Sequence, residues 1–361
     1  MTEIKIAIVG VGNCASFLLQ SIEYYRDRAN LQEIPGVMHT VIGKYRISDI
    51  KCVAAFDVDE RKIGKDVSEA IFEPNTINTV KIADVPKLGV NVLKGPVLDG
   101  IGDYLARVVK VDPKQKLVDV VKVLKESGAD ILINYLPVGS YEATRFYANA
   151  ALSADCAFIN CIPEFVSQEQ EIVKAFEDKK LPLIGDDVKG TIGATILSRT
   201  LVKLFADRGG KIDKMYQLNF GGNTDFLNLL EHSRLKYKKI SKTESVQSQL
   251  GKRLEDSQIH IGPSDYVPWL KSRKIANVRI EGTTFGDVPI ILDARLDVED
   301  KSVSAGVVID AIRCAKLALD RKTGGVLISP SAYFMKMPPH QYPDTVARQM
   351  LEEFIAGQRD R

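Results

Sequence analysis

The first half of the chain alternates between short apolar runs and segments whose apolar residues recur at helical spacing. Continuous apolar runs are typical of strands buried on both faces, so this alternation predicts a parallel sheet with helices on both sides, a Rossmann-type doubly wound fold. The predicted strands are residues 5–9, 50–56, 130–134, 157–159 and 183–185, and the predicted helices are 14–25, 116–125, 140–152 and 168–179.

The pattern changes after about residue 200. Residues 275–280 and much of 288–298 alternate strictly between apolar and polar positions, which is typical of a strand with one solvated face. We therefore expect a second α+β domain with a mostly antiparallel sheet over residues 201–304, used for catalysis and oligomerisation. The apolar stripe at 305–319 predicts a long helix that returns to the first domain, which would comprise residues 1–200 plus 305–361.

Composition and charge narrow the function. The 361 residues carry 49 Lys and Arg against 47 Asp and Glu, a net charge of +2 that argues against a nucleic-acid-coating surface. The longest apolar run falls short of the ~18 residues of a membrane span, and the acidic N-terminal segment does not resemble a secretory leader. Five scattered cysteines without a CxxC pair and four isolated histidines predict reduced thiols, no metal site and a cytoplasmic protein.

The segment GVGNCA at residues 10–15 follows a strand and begins a helix, as a dinucleotide-binding turn requires. Gly10 would form the tight turn, Gly12 would admit the pyrophosphate, and Ala15 would let helix and strand pack closely. Asp57 ends the second strand, where its carboxylate would bind the adenine ribose and favour NAD over NADP. It lies beyond the usual ~20-residue spacing, so we expect an insertion between helix and strand.

A second group of polar residues follows the strand that ends at residue 185. Of the adjacent Asp186 and Asp187, at most one can face a ligand while the other braces a loop. Lys189 and the N–H groups of Gly190, Thr191 and Ile192 could hold a phosphate, and a solvated strand–turn is the alternative.

Residues 219–225 form a third polar segment. Asn219, Asn223 and Asp225 flank a Gly-Gly pair and could hold the hydroxyls of a sugar-like substrate. The alternative is a helix N-terminus capped by Asn223 or Thr224, and both interpretations can hold together.

Lysines form the last group. Lys238 and Lys242 lie four apart and would share one helix face, either as a solvated surface or as a pair that binds phosphate and stabilises an enolate or carbonyl oxygen. A desolvated lysine can also act as a base. Lys336 stands among apolar residues, which predicts burial with a partner.

Taken together, these segments resemble one known family over nearly the whole chain. The sequence is similar to the compact bacterial form of myo-inositol-1-phosphate synthase. The resemblance is carried by AIVGVGNCAS, AAFDVD, LDGIG, NYLPVGS, GDDVKG, QLNFGGNTDF, KKISKT, IHIGPSD, SAGVVIDAIR and MKMPP.

The resemblance implies an isomerase that converts D-glucose 6-phosphate to 1D-myo-inositol 3-phosphate. NAD would oxidise C5, C6 would lose a proton, the enolate would attack C1, and the C5 ketone would be reduced again without net consumption of NAD. It also implies a tightly bound NAD, a homotetramer, and no nucleic-acid or membrane partner, and it leaves open whether a monovalent or divalent cation assists.

The resemblance further implies roles for individual residues. The catalytic residues would be Lys238, Lys242, Lys336, Asp187 and Asp225, and the substrate-binding residues Asn219, Asn223, Lys189, Gly190 and Thr191. NAD would contact Gly10, Gly12, Asn13, Cys14, Ala15, Asp57, Pro137, Gly139, Ser140, Asn160, Asp187 and Asp300.

Two departures from the family pattern matter. Gly190 replaces a serine that many members carry, so a hydroxyl contact to phosphate would pass to Thr191 or to backbone. A further active-site lysine of eukaryotic members has no clear counterpart here, and Lys274 is a weak candidate.

Two other functions remain open from the sequence. One is an NAD-dependent sugar-phosphate dehydrogenase of similar two-domain plan, which would release NADH; the dense lysines and the lack of an evident His–Asp pair argue against it. The other is a catalytically silent NAD-binding protein, against which the presence of Lys238, Lys242, Lys336 and Asp225 argues.

Overall fold

The computed structural model describes residues 2–28 and 31–361, apart from the side chains at 263 and 264. Its larger sheet has seven parallel strands in the order β11-β6-β5-β4-β1-β2-β3, which confirms the doubly wound prediction. The strands are β1 Ile4–Val9, β2 Ile50–Asp57, β3 Val92–Lys94, β4 Ile131–Asn134, β5 Ala157–Asn160, β6 Pro182–Ile184 and β11 Gly325–Val326.

Helices cover both faces of this sheet. In β1, Ile6 and Ile8 point into a core shared with α1 and α9, whereas Ala7 and Val9 point into a core shared with α3, α4 and α5. The helices are α1 Asn13–Arg26, α2 Val67–Ala70, α3 Val120–Ser127, α4 Tyr141–Ser153, α5 Gln170–Asp178, α6 Ala194–Asp207, α7 Thr224–Asn228, α8 Lys236–Gln247, α9 Ser302–Asp320, α10 Ile328–Phe334 and α11 Asp344–Ala356. Because the side chains of a strand alternate between the two faces of the sheet, the strands between these two cores are buried on both faces.

The predicted helix bounds differ from the structure by one to four residues, most of all at the start of α3. The helix expected from residue 116 begins at Val120, because the Asp119 carboxylate accepts a hydrogen bond from the amide of Lys122 (3.0 Å) and caps the helix there. The apolar residues before it belong to a loop, and Leu117 is half exposed.

The smaller sheet has the order β10-β9-β7-β8, with β7 Lys211–Gly221, β8 Ile259–Tyr266, β9 Arg273–Thr283 and β10 Pro289–Glu299. Two of its three strand pairs are antiparallel and β7–β8 is parallel, so the mostly antiparallel prediction is confirmed. We expected residues 219–225 to form a polar loop, but Asn219 lies within strand β7.

Within residues 2–28 and 31–361, no helix combines the length and apolar character needed to cross a bilayer. The limits proposed for the two domains stay a prediction, although all four strands of the smaller sheet lie between residues 211 and 299.

Candidate active site

A cleft of about 1790 Å³ lies at the carboxyl ends of the parallel strands. It is lined by residues at or just after the ends of five of these strands, including Gly10, Asp57, Tyr135, Cys161 and Asp187. Ligands bind at this edge in open α/β sheets.

The predicted dinucleotide turn forms one wall. Gly10 has φ +89°, its amide donates to the Phe56 carbonyl (2.9 Å), and a Cβ there would lie 2.6 Å from the Tyr135 carbonyl oxygen. A Cβ on Gly12 would meet no atom within 4 Å, because this residue borders the cleft in front of α1. The open space and the amides at the N-terminus of α1 fit a pyrophosphate.

Asp57 stands at the end of β2, beside this turn. One carboxylate oxygen accepts hydrogen bonds from the amides of Val58 (2.7 Å) and Asp59 (2.9 Å), and the other accepts from the amide of Val11 (2.8 Å). Asp57 lines the cleft where an adenine ribose would follow the pyrophosphate, so the residues present fit NAD.

The three residues after Gly12 have different roles. The Asn13 side chain accepts hydrogen bonds from the amides of Asn78 (2.8 Å) and Thr79 (3.0 Å), so it fixes a loop while it borders the cleft. Cys14 lines the cleft, and burial raises the pKa of its thiol, which disfavours a nucleophilic role. Ala15 is fully buried in the core, where it permits close packing.

The loop after β4 borders the cleft through Pro137. Gly139 has φ +87°, and a Cβ there would lie 2.7 Å from the Arg234 side chain. Ser140 is fully buried and its hydroxyl donates to the Pro137 carbonyl (2.6 Å), so its side chain shapes the loop.

The two adjacent carboxylates point in different directions, as predicted. Asp186 accepts hydrogen bonds from the Asn160 amide group (2.7 Å) and the Ser167 hydroxyl (2.6 Å), and burial raises its pKa to about 8. Asn160, expected to bind NAD, is completely buried and its side chain is used to brace Asp186. Asp187 lines the cleft.

Asp187 is the centre of a buried group of lysines. Its carboxylate accepts from the ammonium groups of Lys336 (2.8 Å) and Lys238 (3.4 Å) and from the Ser241 hydroxyl (2.6 Å). Burial alone would raise the pKa of Asp187, but the two ammonium groups outweigh burial and hold this pKa well below its usual range. The expectation that Lys336 is buried with a partner is confirmed.

The pKa values of the lysines are shifted in different directions. Burial and the nearby charges of Lys238, Lys274 and Lys336 hold the pKa of Lys242 well below its usual value. Burial likewise lowers the pKa of Lys336 to about 8, against the pull of Asp187. For Lys238, burial is outweighed by Asp187 and Asp225, so its pKa is raised. The surroundings thus favour the charged form of Lys238 and the neutral form of Lys242, one helical turn apart on α8.

A second ion cluster, formed by Lys274, Asp300 and Lys301, lines the same cleft. Asp300 accepts from Lys301 (2.7 Å) and Lys274 (3.1 Å), which outweigh burial and hold its pKa well below the usual range. Asn223 caps α7, as the alternative interpretation predicted, and its amide group donates to Asp300 (3.3 Å). The weak candidate Lys274 lines the cleft, as does Asp225.

Two predicted substrate contacts, Lys189 and Thr191, are not found in the lining of the cleft. The ammonium of Lys189 donates to the Asp344 carboxylate (3.3 Å) and the Ala332 carbonyl (2.9 Å), and the Thr191 amide is not free because it donates to the Val303 carbonyl (2.7 Å). Gly190 does border the cleft. The prediction that Lys189 and the Thr191 amide form a phosphate cradle is therefore wrong for this structure.

The polar residues of strand β7 also differ from the prediction. The Asn219 amide group donates to the Gly262 carbonyl (2.6 Å), and among the described residues the lining of the cleft includes Gln217 instead. Gln217 accepts from the Ser198 hydroxyl (2.7 Å) and donates to Asn219 (2.9 Å). Sequence reasoning missed Gln217, although it lies two positions from Asn219 on the same strand.

Comparison with known proteins points to one family. A family model described as myo-inositol-1-phosphate synthase matches residues 193–301. The chain is 54% identical over 359 residues to an inositol-3-phosphate synthase of Mycolicibacterium smegmatis, covering 98% of both chains. It is 52% identical over 356 residues to that of Mycobacterium tuberculosis, covering 99% of this chain and 96% of the relative.

A solved structure gives the same result. The fold matches that of a myo-inositol-1-phosphate synthase-related protein from Thermotoga maritima with a TM-score of 0.80 and 25% identity, over 98% of each chain. The similarity thus extends over both sheets and the cleft between them.

Proposed function

The chain belongs to the myo-inositol-1-phosphate synthase family, enzymes of the isomerase (intramolecular lyase) class, and we propose that it converts D-glucose 6-phosphate to 1D-myo-inositol 3-phosphate. When bound, NAD supplies hydride chemistry: it removes a hydride from C5 of the sugar phosphate and returns it at the end of each cycle. The observation that carries the proposal is the group of lysines around Asp187, which shares one cleft with the dinucleotide turn.

Removal of the C6 proton needs a base at neutral pH. Lys242 is buried in the cleft wall and its low pKa supports a neutral amine, which is the form that accepts a proton. Because α8 places Lys238 and Lys242 one helical turn apart, the base would lie beside a cation that stabilises the enolate oxygen.

Closure of the ring requires that the C1 and C5 oxygens be held by positive groups. Lys238 and Lys336 both pair with the carboxylate of Asp187. Lys274 pairs with Asp300, which lines the same cleft. These ion pairs fix the directions of long side chains before substrate binds, which lowers the entropic cost of reaching the transition state.

The finer assignments are also proposals. The exposed edge strand β10, with Ile291 and the neighbouring Phe285 exposed, supports self-association into the expected homotetramer. Among the described residues no group of three or more His, Cys, Asp or Glu could hold a metal ion. We also propose a cytoplasmic role that supplies inositol for phospholipids.

The experiment is to incubate the purified protein with glucose 6-phosphate and NAD while inositol phosphate and free NADH are measured together. Inositol phosphate without net NADH is the expected result. NADH that rises in step with loss of substrate would instead identify a sugar-phosphate dehydrogenase, and no turnover would support a silent NAD-binding protein.

A matched pair of variants tests the base. Lys242→Met should lower turnover by about 10²–10⁴-fold, the usual contribution of a general base. Lys239→Met changes an exposed lysine on the same helix and should leave turnover unchanged. Equal rates for the two variants would remove Lys242 from the mechanism.

A further inference from the structure

Lys62 is a buried lysine of the cleft that the proposed reaction does not use. It is 3% exposed and lines the cleft beside the glycine turn and Asp57. Its ammonium donates to the Val11 carbonyl (2.9 Å) and to the Asp57 carboxylate (3.4 Å). Lys62 thus joins the glycine turn to the acid that would bind the ribose.

We propose that Lys62 is a second determinant of dinucleotide selection, which acts with Asp57 at the adenosine ribose and would bind a 2′-phosphate if Asp57 were neutral. The inference rests on the proposed use of NAD and concerns the choice between NAD and NADP at the same site.

An account of the hydrogen bonds on Asp57 supports this role. A carboxylate has about four acceptor positions. Three are used by the amides of Val11, Val58 and Asp59, and the fourth is taken by Lys62 at the longest distance of the set. A ribose hydroxyl can therefore reach the carboxylate only in the place of the Lys62 ammonium, which must lie next to the ribose oxygens once NAD is bound.

The position of the ammonium has an electrostatic consequence. Asp57 repels a 2′-phosphate, whereas Lys62 attracts it, and both groups act at short range in a buried place where charges are weakly screened. Selection for NAD then depends on the difference between the two interactions and not on Asp57 alone. A lysine remote from the ribose would have no such effect.

A double-mutant cycle tests the proposal by binding alone. NADH and NADPH are titrated by fluorescence into protein freed of nucleotide, for the wild type, Asp57→Asn, Lys62→Met and the double variant. Asp57→Asn should raise NADPH affinity about tenfold or more with Lys62 present, and less than about threefold in the Lys62→Met background. Lys62→Met alone should weaken NADPH more than NADH.

Controls separate the possible failures. Lys65→Met changes a lysine of the same segment that pairs with Glu73 (3.4 Å) and should alter neither titration. An equal gain of NADPH affinity with and without Lys62 would overturn the proposal. If Asp57→Asn fails to fold, the ratio of NADPH affinity to NADH affinity in Lys62→Met tests the proposal by itself, and a ratio equal to that of the wild type would overturn it. A wild-type protein that binds neither nucleotide would instead overturn the proposed function.

Discussion

A buried ion cluster beneath the active site makes a measurable contribution to stability. Asp344, at the start of α11, pairs with Arg199 (2.7 Å) and Lys189 (3.3 Å), whose side chains are 1% and 2% exposed. At an effective dielectric constant of about 20 these attractions are about 6 and 5 kcal/mol; the cost of burying the two cations, and solvent screening at Asp344, whose side chain is 31% exposed, offset most of this. Asp344→Asn would leave two buried cations without their carboxylate.

We expect Asp344→Asn to lower the free energy of unfolding by about 3–5 kcal/mol, the typical loss when one partner of a buried pair is removed. At about 2–4 °C per kcal/mol, this is a fall in Tm of about 6–20 °C by calorimetry. Removing one of the two cations as well, in Asp344→Asn with Lys189→Met, should recover part of the loss.

The pH dependence gives an independent check. Burial opposes ionisation of Asp344, but Lys189 and Arg199 outweigh it and lower its pKa. A lowered acid pKa gives stability that is present above the unfolded-state pKa and is lost as pH falls through the folded-state pKa. The Tm difference between wild type and Asp344→Asn should therefore shrink in acid.

The matched control is Asp207→Asn, which breaks an exposed pair with Lys203 on α6 and should cost at most about 1 kcal/mol. A Tm of Asp344→Asn as close to wild type as that of Asp207→Asn would refute the reasoning.

The cluster is also linked to the active site by hydrogen bonds. Arg199 donates to the Tyr342 carbonyl (2.8 Å), and the neighbouring Gln341 donates to the Lys336 carbonyl (2.7 Å).

Three further predictions concern turnover and cofactor binding. Lys238→Ala should abolish turnover and leave NADH binding intact in a fluorescence titration, because it removes substrate-side charge and not the glycine turn; retained activity would contradict the assignment. The pKa of Lys336 is lowered to about 8, so its ammonium loses a proton as pH rises through about 8 and kcat should fall there. The side chain of Lys336→Arg stays charged, so any residual activity of this variant should not fall in that pH range. Gly12→Ala should fold normally but bind NADH at least about tenfold more weakly, since its Cβ enters only the open space for the pyrophosphate; unchanged affinity would place the cofactor elsewhere.

The sequence predicted those parts of the site that depend on local backbone geometry. The turn at Gly10 and Gly12 requires residues without a Cβ, and the opposite directions of Asp186 and Asp187 follow from their adjacency at a strand end. The burial of Lys336 followed from its apolar neighbours. Each of these inferences needs only a few neighbouring residues, so one sequence was sufficient.

Other features depend on partners far along the chain. Lys189 follows two aspartates at a strand end, so its neighbours indicate a phosphate ligand, but its carboxylate partner is 155 positions away. Lys274 is placed beside Gly221 because β9 pairs with β7, and the pairing of β9 with β10 brings it to Asp300. Such pairings are set by tertiary packing, and no local pattern contains them.

The charges of the site lead to a last prediction, which concerns proton uptake when the substrate binds. In the substrate half of the cleft five lysines, including Lys242, face three aspartates, Asp187, Asp225 and Asp300, an excess of positive groups. Burial and the surrounding ammonium groups depress the pKa of Lys242, so an added negative charge should raise it. A sugar phosphate carries nearly two negative charges at pH 7.

Binding of glucose 6-phosphate to protein freed of NAD, where no reaction can follow, should therefore raise the pKa of Lys242 and draw less than one proton per site from solution, so that part of the complex keeps the neutral amine that the proposed base requires. Calorimetric titration in buffers of different ionisation enthalpy measures this uptake directly. Lys242→Met should bind with much less uptake, whereas Lys239→Met should match the wild type. Release of a proton, or uptake that persists in Lys242→Met, would contradict the neutral amine on which the proposed base depends.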